Sequence, residues 1–447
     1  MKEQENKMGV MPINALLLSM AVPIMISMLV QALYNIVDSI FVAKISENAF
    51  TAVSLAFPVQ TLMIAVATGT GVGVNALLSR GLGEKNQSFV NKIANHAIIL
   101  AIFSAVLFMI IGLFGARFFF EAQTDIAEIV DGGTAYLRIV CICSLPLFLQ
   151  IMFERTLQAT GRTLYSMIAQ GTGAIINIIL DPIFIFGLLG MPKLGVAGAA
   201  LATIIGQFGA MLIGLYLNVK KNPEIQFSFK QLRPEFAIVK RIYAIGIPSI
   251  AMSSLMSVTT FSLNRILIEF STTATNVLGV YYKLQSFIFM PVFGLNNAMI
   301  PIIGYNYGAR KKERIFKTMK LSAVYAISIM MVGLVAFEVF PNVLLRMFNP
   351  SEVMLELGVP ALRIICISFI FAGFCIVCSS VFQALGVSMY SLILSVCRQL
   401  VVLVPAAYLL SRLGDVNLVW WAFPIAEVMS VVCCLFFLRK VVKLLDF

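Results

Sequence analysis

Two carboxylic acids lie inside apolar stretches of this chain, where charged side chains are rare. Asp38 follows Asn35 by three residues and Gln31 by seven, a spacing that keeps the three side chains near one face of a helix. Asp181 follows Asn177 by four residues, again on one face. A carboxylate in the middle of a spanning helix costs about 2.5–3.5 kcal/mol on insertion scales, so it is retained where it faces a cavity or a partner. Both acids are therefore candidate functional residues.

The two acids can form one site that responds to an ion gradient. Each lies toward the outer end of its apolar run, so a single cluster is geometrically allowed. Two carboxylates in a partly dry pocket do not both ionise cheaply, and either one takes a proton or a small hard cation sits between them. The alternative is two unrelated acids near a wet outer vestibule.

The composition predicts an all-α, polytopic membrane protein. Hydrophobic residues make up 60% of the chain and charged residues 12%, against about 25% charged residues in a soluble domain. The net charge of +11 therefore indicates basic cytoplasmic loops rather than a nucleic-acid partner. All eight cysteines lie in apolar runs, which is typical of small buried side chains. We expect no metal site beyond Na⁺, and no cofactor other than H⁺ or Na⁺ as the coupling ion.

Twelve apolar runs are long enough to cross a bilayer core, which takes about 20 residues of helix. They lie at 13–44, 50–79, 93–116, 127–152, 164–189, 195–218, 238–268, 274–305, 319–341, 357–381, 388–411 and 416–438. With the N-terminus inside, 22 of the 32 Lys and Arg residues fall on inside segments and 5 on outside loops. Because cytoplasmic loops carry the excess of Lys and Arg, both termini are predicted to be cytoplasmic.

The two halves of the chain resemble each other at a fixed shift of 225 residues. The shift pairs Pro23 with Pro248, Gln60 with Gln285, Gly69 with Gly294, Gly83 with Gly308, Leu137-Arg138-Ile139 with Leu362-Arg363-Ile364, and Gln158-Ala159 with Gln383-Ala384. We predict an N-lobe at 1–219 with spans 1–6, a cytoplasmic linker at 220–237 and a C-lobe at 238–447 with spans 7–12. Two similar membrane halves favour a transporter, because they can rock about a site between them.

The two acids, Asp38 and Asp181, have no acidic counterparts in the second half. The same shift takes Asp38 to Leu263 and Asp181 to Ala406. This asymmetry argues against a purely structural role for the polar cluster.

The second half has its own polar residues. Arg398 in span 11 and Glu427 in span 12 form a predicted C-lobe polar pair, either a structural ion pair or a direct substrate contact. Lys283 in span 8 either lines a central cavity or snorkels outward. His96, the only histidine, lies at the inner start of span 3 and is either a titrating switch or a solvated interfacial side chain.

An enzyme is the least favoured class. The chain has no phosphate-binding loop and no Ser/His/Asp set. Two other interpretations stay open: a lipid-linked sugar flippase of related architecture, which tends to have a basic central cavity, and a passive channel, which leaves the asymmetric acids unexplained.

Several segments resemble the multidrug and toxic compound extrusion (MATE) transporters, and in particular their DinF-like branch, closest to the MepA-type drug exporters. The resemblance covers nearly the whole chain. It is carried by Pro23, Asp38, Asn177-Ile-Ile-Leu-Asp181-Pro182, Gly195-Val-Ala-Gly198-Ala-Ala-Leu-Ala-Thr203, Phe153-Glu-Arg-Thr-Leu-Gln158-Ala-Thr-Gly161, Lys283-Leu-Gln285-Ser-Phe-Ile-Phe289-Met-Pro291 and Pro301-Ile-Ile-Gly304-Tyr-Asn-Tyr-Gly308.

The resemblance implies two six-helix lobes around a central cleft, and export driven by inward flow of H⁺ or Na⁺. It assigns ion coupling to Asp38 and Asp181, with Asn35, Asn177 and Thr203 as supporting groups. Pro23 would be the point where span 1 bends. Another branch of the family uses acids on spans 7 and 10, but span 10 has no Asp or Glu here.

We expect organic substrates, by preference lipophilic cations. The 23 Met and 35 Phe residues include soft side chains that can repack around varied ligands. Candidate cavity residues are Tyr34, Met63, Tyr282, Lys283, Gln285 and Phe289. We further expect a monomer in a prokaryotic cell membrane, with the lipid bilayer as its other partner.

Overall fold

The computed structural model describes residues 5–228, 233–348 and 350–445, and over these ranges its regular structure is entirely helical. The helices are α1 (Lys7–Val10), α2 (Ile13–Ala43), α3 (Glu47–Gly83), α4 (Gln87–Glu121), α5 (Ala127–Ile142), α6 (Leu145–Ala159), α7 (Thr163–Phe186), α8 (Val196–Lys221), α9 (Phe236–Leu267), α10 (Thr272–Gly308), α11 (Lys312–Val339), α12 (Pro341–Arg346), α13 (Glu352–Cys366), α14 (Phe369–Ala384), α15 (Ser388–Val396), α16 (Val404–Ser411), α17 (Val416–Val419) and α18 (Ala422–Val442). A π-helical segment, Cys397–Leu403, joins α15 to α16.

The helices confirm the predicted polytopic membrane fold. Among the described residues, ten helical segments are long and apolar enough to cross a membrane, and two bent pairs bring the number of spans to as many as twelve. The bent pairs are α5 with α6, at 47°, and α13 with α14, at 49°. They take the places of predicted spans four and ten, which are therefore broken rather than continuous.

The 225-residue repeat reappears in the helix boundaries. Helices α3 and α10 are both 37 residues long, and each begins after a serine whose side chain accepts a hydrogen bond from a backbone N–H three residues later. These serines, Ser46 and Ser271, are 225 residues apart, and their N–H···O distances are both 3.0 Å. Such a cap satisfies one of the free N–H groups of the first turn. The two halves thus share local start signals as well as apolar pattern.

The chain divides into two compact units that do not coincide with the predicted lobes. Unit 1 comprises 1–6 and 22–246, and unit 2 comprises 7–21 and 247–447. The boundary therefore falls inside α2 and inside α9, rather than in the predicted linker at 220–237. Residues 229–232 of that linker lie outside the described residues. The lobe boundaries differ because each of these two helices packs its first part in one unit and the remainder in the other.

The described part of the linker is held on the N-terminal end of α4, within unit 1. Asn91 Oδ1 accepts a hydrogen bond from the backbone N–H of Gln226 at 3.0 Å. One turn further along, Asn95 Oδ1 accepts from the N–H of Ser228 at 3.1 Å. These side chains give backbone groups of an irregular segment the partners that a helix would otherwise supply.

His96 completes this attachment. Its Nε2 accepts a hydrogen bond from the backbone N–H of Glu235 at 2.8 Å, and its Nδ1 lies 2.7 Å from the carbonyl oxygen of Lys92. Since an N–H can only donate, Nε2 is the acceptor and Nδ1 carries the proton. The ring is 1% exposed, so the interpretation of His96 as a solvated interfacial side chain is wrong. The linker covers the ring, and the sequence does not show which residues fold over it.

We expect His96→Leu to loosen the linker, because the partly buried N–H of Glu235 loses its acceptor. A fully buried unsatisfied donor costs about 1–3 kcal/mol. Partial burial lowers our expectation to about 1–1.4 kcal/mol, which corresponds to roughly a fivefold to tenfold rise in the population of the opened segment. Limited proteolysis between 222 and 235 measures that rise as faster cleavage. Lys92→Ala is the matched control, since the Lys92–Glu235 pair at 3.0 Å is nearly half exposed and such pairs contribute at most about 1 kcal/mol. Equal cleavage rates in the two variants would contradict the assignment.

Candidate ion-coupling site

The site is built on α7. Asp181 is 0% exposed, and Asn177, one turn earlier, is also buried. Asn177 Nδ2 donates to Asp181 Oδ1 at 3.3 Å. The four-residue spacing places both side chains on the same helix face.

Helix α8 supplies the third member of the cluster. Asn177 Nδ2 also donates to Thr203 Oγ1 at 3.4 Å. The Thr203 hydroxyl donates in turn to the carbonyl oxygen of Ala199 at 3.0 Å. The structure therefore brings Asn177, Asp181 and Thr203 together, with the amide of Asn177 between the other two.

Two glycines set how closely α7 and α8 approach each other. A Cβ added at Gly173 would lie 2.7 Å from the Cβ of Ala210 and 2.8 Å from the carbonyl oxygen of Gly206. A Cβ added at Gly206 would lie 2.7 Å from the carbonyl oxygen of Gly173 and 3.0 Å from the Cβ of Asn177. Small residues let helix backbones approach closely in membranes. The glycine contact thus holds Asn177 against Thr203.

Helix α2 adds the second acid. Two contacts join α2 to α7: Gln170 Nε2 donates to Gln31 Oε1 at 3.0 Å, and the ring centroids of Phe41 and Phe186 are 6.2 Å apart. Along each helix the acid lies between these two contacts. The structure thus places the two acids in one cluster within unit 1.

The structure does not bring Asn35 into the buried cluster. Its side chain is exposed, and its backbone carbonyl accepts a hydrogen bond from Ser39 Oγ at 2.8 Å. A three-residue step leaves it about 60° around the helix from Asp38. That offset is enough to turn the amide away from the protein interior.

Three oxygen atoms of the cluster are buried without a hydrogen-bond donor. They are Asp38 Oδ1, Asp181 Oδ2 and Asn177 Oδ1. Buried acceptors left without donors are costly, so they favour binding of a proton or cation. Oxygen atoms are the ligands that small hard cations prefer. Among the described residues no group of three or more His, Cys, Asp or Glu side chains could hold a metal ion.

Two further polar contacts join helices of unit 1. Gln170 Nε2 on α7 donates to Gln31 Oε1 on α2 at 3.0 Å. Gln60 Nε2 on α3 donates to the Tyr136 hydroxyl at 2.9 Å. Gln170 and Tyr136 are not among the predicted site residues. A polar residue inside an apolar run indicates a possible site residue. The sequence does not show which of the many such residues contact each other.

Pro23 lies inside α2, whose helix is assigned without a break from Ile13 to Ala43. The boundary between the two compact units falls between Ala21 and Val22. Pro23 lacks a backbone N–H and cannot complete the helical ladder there. A bend at Pro23 stays a prediction.

The predicted cavity residues fall into two groups. Tyr34, Tyr282 and Gln285 are half-buried, and Lys283 is exposed with its Nζ 5.9 Å from the centre of the Phe348 ring. The other two are interior residues of their units, which corrects the expectation that they line a cavity. Met63 is fully buried, with its sulfur 3.9 Å from Cys141 Sγ, and the ring of Phe289 packs 5.5 Å from that of Phe369. Apolar side chains of this size fill helix packing as readily as they line a cavity.

The C-lobe polar pair is in contact within unit 2. Arg398 Nη1 lies 3.3 Å from Glu427 Oε1, with the two side chains 26% and 13% exposed. Arg398 belongs to the π-helical segment, and the next residue, Gln399, accepts a hydrogen bond from Thr259 Oγ1 at 2.9 Å. A π-helical turn inserts one extra residue and so re-aims the side chains around it. The sequence spacing carries no sign of that extra residue.

We expect Glu427→Gln to destabilise unit 2, because it leaves the Arg398 charge mostly buried without its partner. Breaking a fully buried pair costs about 3–5 kcal/mol, and partial exposure lowers our expectation to about 1–3 kcal/mol. A thermal melt of purified protein in detergent measures the loss. Arg363→Gln is the control, because its ion pair with Glu338 is half-exposed and joins Nε to Oε1 at a longer distance of 3.8 Å. Unchanged stability of Glu427→Gln with altered drug range would instead indicate a substrate contact.

Comparison with known proteins identifies the family. The MatE family profile matches this chain twice, over residues 23–183 and 248–409. The two matched segments begin at Pro23 and Pro248, the first pair of the repeat. The chain belongs to the MatE family. The predicted MATE resemblance is therefore confirmed, and the chain is a multi-pass membrane transporter rather than an enzyme.

Individual members of the MatE family resemble the chain over nearly its full length. Multidrug export protein MepA of Staphylococcus haemolyticus (strain JCSC1435) is 27% identical over 420 residues, covering 93% of this chain and 91% of that protein. A crystal structure of MATE in complex with MaL6 matches with a TM-score of 0.92 at 26% identity and covers 100% of both chains. The outward-facing conformation of a multidrug resistance MATE family transporter matches with a TM-score of 0.92 at 26% identity, covering 100% of this chain and 99% of the other.

Proposed function

We propose that this chain is a secondary active multidrug exporter that exchanges lipophilic organic cations for H⁺ or Na⁺. The observation that carries the proposal is the acid pair of unit 1, whose oxygens include Asp38 Oδ1 and Asp181 Oδ2, both buried without donors. The repeat places Leu263 and Ala406 at the corresponding positions of the second half. The first half therefore has an ion site that the second half lacks. The names of the relatives, which are multidrug export proteins, support the drug-export part.

In the proposed cycle the ion neutralises the acid pair from the outside, and drug is released outward. The ion then leaves inward and a new drug molecule enters from the cytoplasm or the inner leaflet. When one ion is exchanged for one monovalent drug cation, no net charge crosses the membrane, so the concentration gradient of the ion drives export. A tenfold ion gradient supplies about 1.4 kcal/mol, equivalent to about a tenfold gradient of drug. Ion and drug act on the same equilibrium between an outward-facing and an inward-facing state. Each must therefore bind these two states with different affinity.

The distribution of basic residues supports the orientation that we propose. With both termini cytoplasmic, 22 of 32 Lys and Arg residues fall on inside segments, as cytoplasmic loops require. We place the protein in a prokaryotic cell membrane as a monomer. Its partners are then organic substrates and lipid, with the coupling ion as the only inorganic ligand and no further cofactor.

Reconstitution into proteoliposomes tests the function directly. Ethidium serves as the lipophilic cation, and H⁺ and Na⁺ gradients are imposed separately across otherwise identical vesicles. We expect ethidium to be exported against its own gradient with at least one of the two ions. Movement of ethidium only down its own gradient would indicate a passive channel. If the protein moves a lipid-linked sugar across the vesicle membrane but does not move ethidium, it is a flippase.

A further inference from the structure

The start of α9 is attached to α4 by a histidine that the proposed exchange cycle does not use. Glu235 directly precedes α9 (Phe236–Leu267). Its carbonyl oxygen accepts hydrogen bonds from the N–H groups of Ile238 at 3.0 Å and Val239 at 3.1 Å, so it closes the first helical turn. Its own N–H donates to Nε2 of His96 at 2.8 Å. His96 therefore holds the residue from which α9 begins.

The contacts of the His96 ring admit only its neutral form. Nδ1 lies 2.7 Å from the carbonyl oxygen of Lys92, which can only accept, so Nδ1 carries a proton. Nε2 faces the N–H of Glu235, which can only donate, so Nε2 keeps its lone pair. A proton added to Nε2 would place two N–H groups against each other at this short distance. Protonation of Nε2 and attachment of Glu235 therefore exclude each other.

The surroundings of the ring offer a protonated imidazole little compensation. His96 is 1% exposed, and its neighbours Ile93 and Ala97 on α4 are buried as well. Both belong to one apolar cluster with Ile238 and Ile242 of α9. A charged group in apolar surroundings is costly unless it is paired. The protonated ring is therefore stabilised by reaching solvent, which requires the start of α9 to move away from it.

Two neighbouring contacts between the linker and α4 do not depend on pH. Asn91 Oδ1 accepts from the backbone N–H of Gln226 at 3.0 Å, and Asn95 Oδ1 accepts from that of Ser228 at 3.1 Å. Side-chain amides have no proton to gain or lose in the physiological range. Acid should therefore release the linker at His96 and leave its attachment at these two asparagines intact.

Charged residues around this end of α4 determine the controls that are needed. Those on α4 and on the described elements packed against it are Lys92 on α4, Arg80 and Glu84 on α3, Glu154 and Arg155 on α6, Glu224, Arg233 and Glu235 on the linker, and Lys240 and Arg241 on α9. Glu154 is an acid only 8% exposed, and Glu235 pairs with Lys92 at 3.0 Å. These two acids are replaced in the test, so that a proton taken up by either is distinguished from one on His96.

We propose that His96 and the N–H of Glu235 form a pH-operated clasp, in which the neutral ring holds the start of α9 and protonation at Nε2 releases it. The closed clasp excludes a proton at Nε2, whereas the opened clasp admits one, so opening becomes more favourable as the pH falls. This property does not depend on the transported substrate or on the coupling ion.

The size of the effect follows from the titration of an imidazole in water, which is half-protonated near pH 6.5. In the opened form, the ratio of total to neutral imidazole rises from about 1.1 at pH 7.5 to about 11 at pH 5.5. Since the closed form stays neutral, the population of the opened clasp should rise about tenfold over this range.

Hydrogen–deuterium exchange of the full chain in detergent tests the clasp. Exchange of the residue-235 amide is measured at pH 7.5 and pH 5.5 and divided by that of the Ser228 amide, so that the chemical effect of pH on exchange cancels. The variants are His96→Gln, His96→Leu, Glu154→Gln and Glu235→Gln, and size-exclusion profiles establish that each is folded. His96→Gln supplies an amide oxygen that accepts from the N–H of Glu235 but takes up no proton.

We expect the normalised exchange of the residue-235 amide to rise about tenfold from pH 7.5 to pH 5.5 in the unchanged chain, in Glu154→Gln and in Glu235→Gln. In His96→Gln it should stay within about twofold. His96→Leu has no acceptor, so its exchange should already be faster than that of the unchanged chain at pH 7.5 and should not rise further in acid.

Three results would overturn the proposal. The first is equal normalised exchange at the two pH values in the unchanged chain. The second is a rise in His96→Gln as large as that of the unchanged chain, because another group would then take up the proton. The third is loss of the rise in Glu154→Gln or Glu235→Gln, which would assign the effect to that acid. If His96→Gln does not fold, His96→Leu decides in its place: a constant value supports the clasp, and a tenfold rise overturns it.

Discussion

Asp181→Asn is expected to abolish ion-driven accumulation of drug while the protein still folds and binds drug. The amide that this substitution introduces has nearly the shape of the carboxyl, and its oxygen can still accept from Asn177 Nδ2, which lies 3.3 Å from Asp181 Oδ1 in the native chain. It cannot take up a proton or supply a negative charge to Na⁺. The free energy of the ion gradient, about 1.4 kcal/mol for a tenfold gradient, then no longer drives the drug, and a drug gradient of about tenfold should fall to near unity.

The same loss is expected of Asp38→Asn, because Asp38 also has a buried oxygen without a donor and lies on α2 between two contacts with α7. Steady-state ethidium gradients in proteoliposomes measure both variants, with ethidium binding followed by fluorescence anisotropy. Asp125→Asn is the control, since Asp125 is an exposed acid outside the helices. Native gradients in either site variant would remove the basis for the coupling assignment.

Gly173→Ala is expected to separate α7 from α8 and to lower both stability and transport. The added methyl group would meet the Cβ of Ala210 at 2.7 Å and the carbonyl oxygen of Gly206 at 2.8 Å. The second of these is a backbone atom, so a side-chain rotation cannot relieve the clash. Overpacking of this kind costs about 1–3 kcal/mol, which corresponds to a fall of roughly 2–10 °C in melting temperature for a unit of this size.

A matched control lies two residues earlier on the same helix. A Cβ added at Gly171 meets nothing within 4 Å, so Gly171→Ala should leave melting temperature and transport near native values. In Gly173→Ala the displaced α8 carries Thr203 away from Asn177, so ethidium transport should fall along with stability. If the two variants melt at the same temperature, the close approach of the helices is not what holds the site.

The apolar pattern was sufficient to predict where the membrane-spanning segments lie, and their number is twelve when each bent pair counts as one span. Long apolar runs cannot be accommodated in a bilayer except as helices, because backbone groups have no water to bind there. The same pattern could not show that spans four and ten are each broken. Pro146, just after the first break, has Phe371 at the corresponding position after the second, so proline does not mark both bends.

Spacing along one helix was also a reliable guide to the site. The four-residue step from Asn177 to Asp181 places both on one face by helix geometry alone. The three-residue step from Asn35 to Asp38 was too weak a guide, because the offset turns Asn35 to the exposed side. Met63 and Phe289 failed as cavity residues for a different reason. Apolar side chains occur against lipid, in the protein core and along a cavity, so the residue type does not show which of these three surroundings a side chain has.

By itself, the sequence determined that this is a duplicated, all-helical membrane protein with the candidate acid pair in only one half, because composition, repeat and helical period are properties of the chain. Only the tertiary structure decided which distant groups meet: Asn177 with Thr203 across the glycine contact, His96 beneath the linker, and Gln31 with Gln170. The reason is physical. Helix geometry relates residues a few positions apart, whereas the packing of one helix against another depends on the shapes of all the side chains between them.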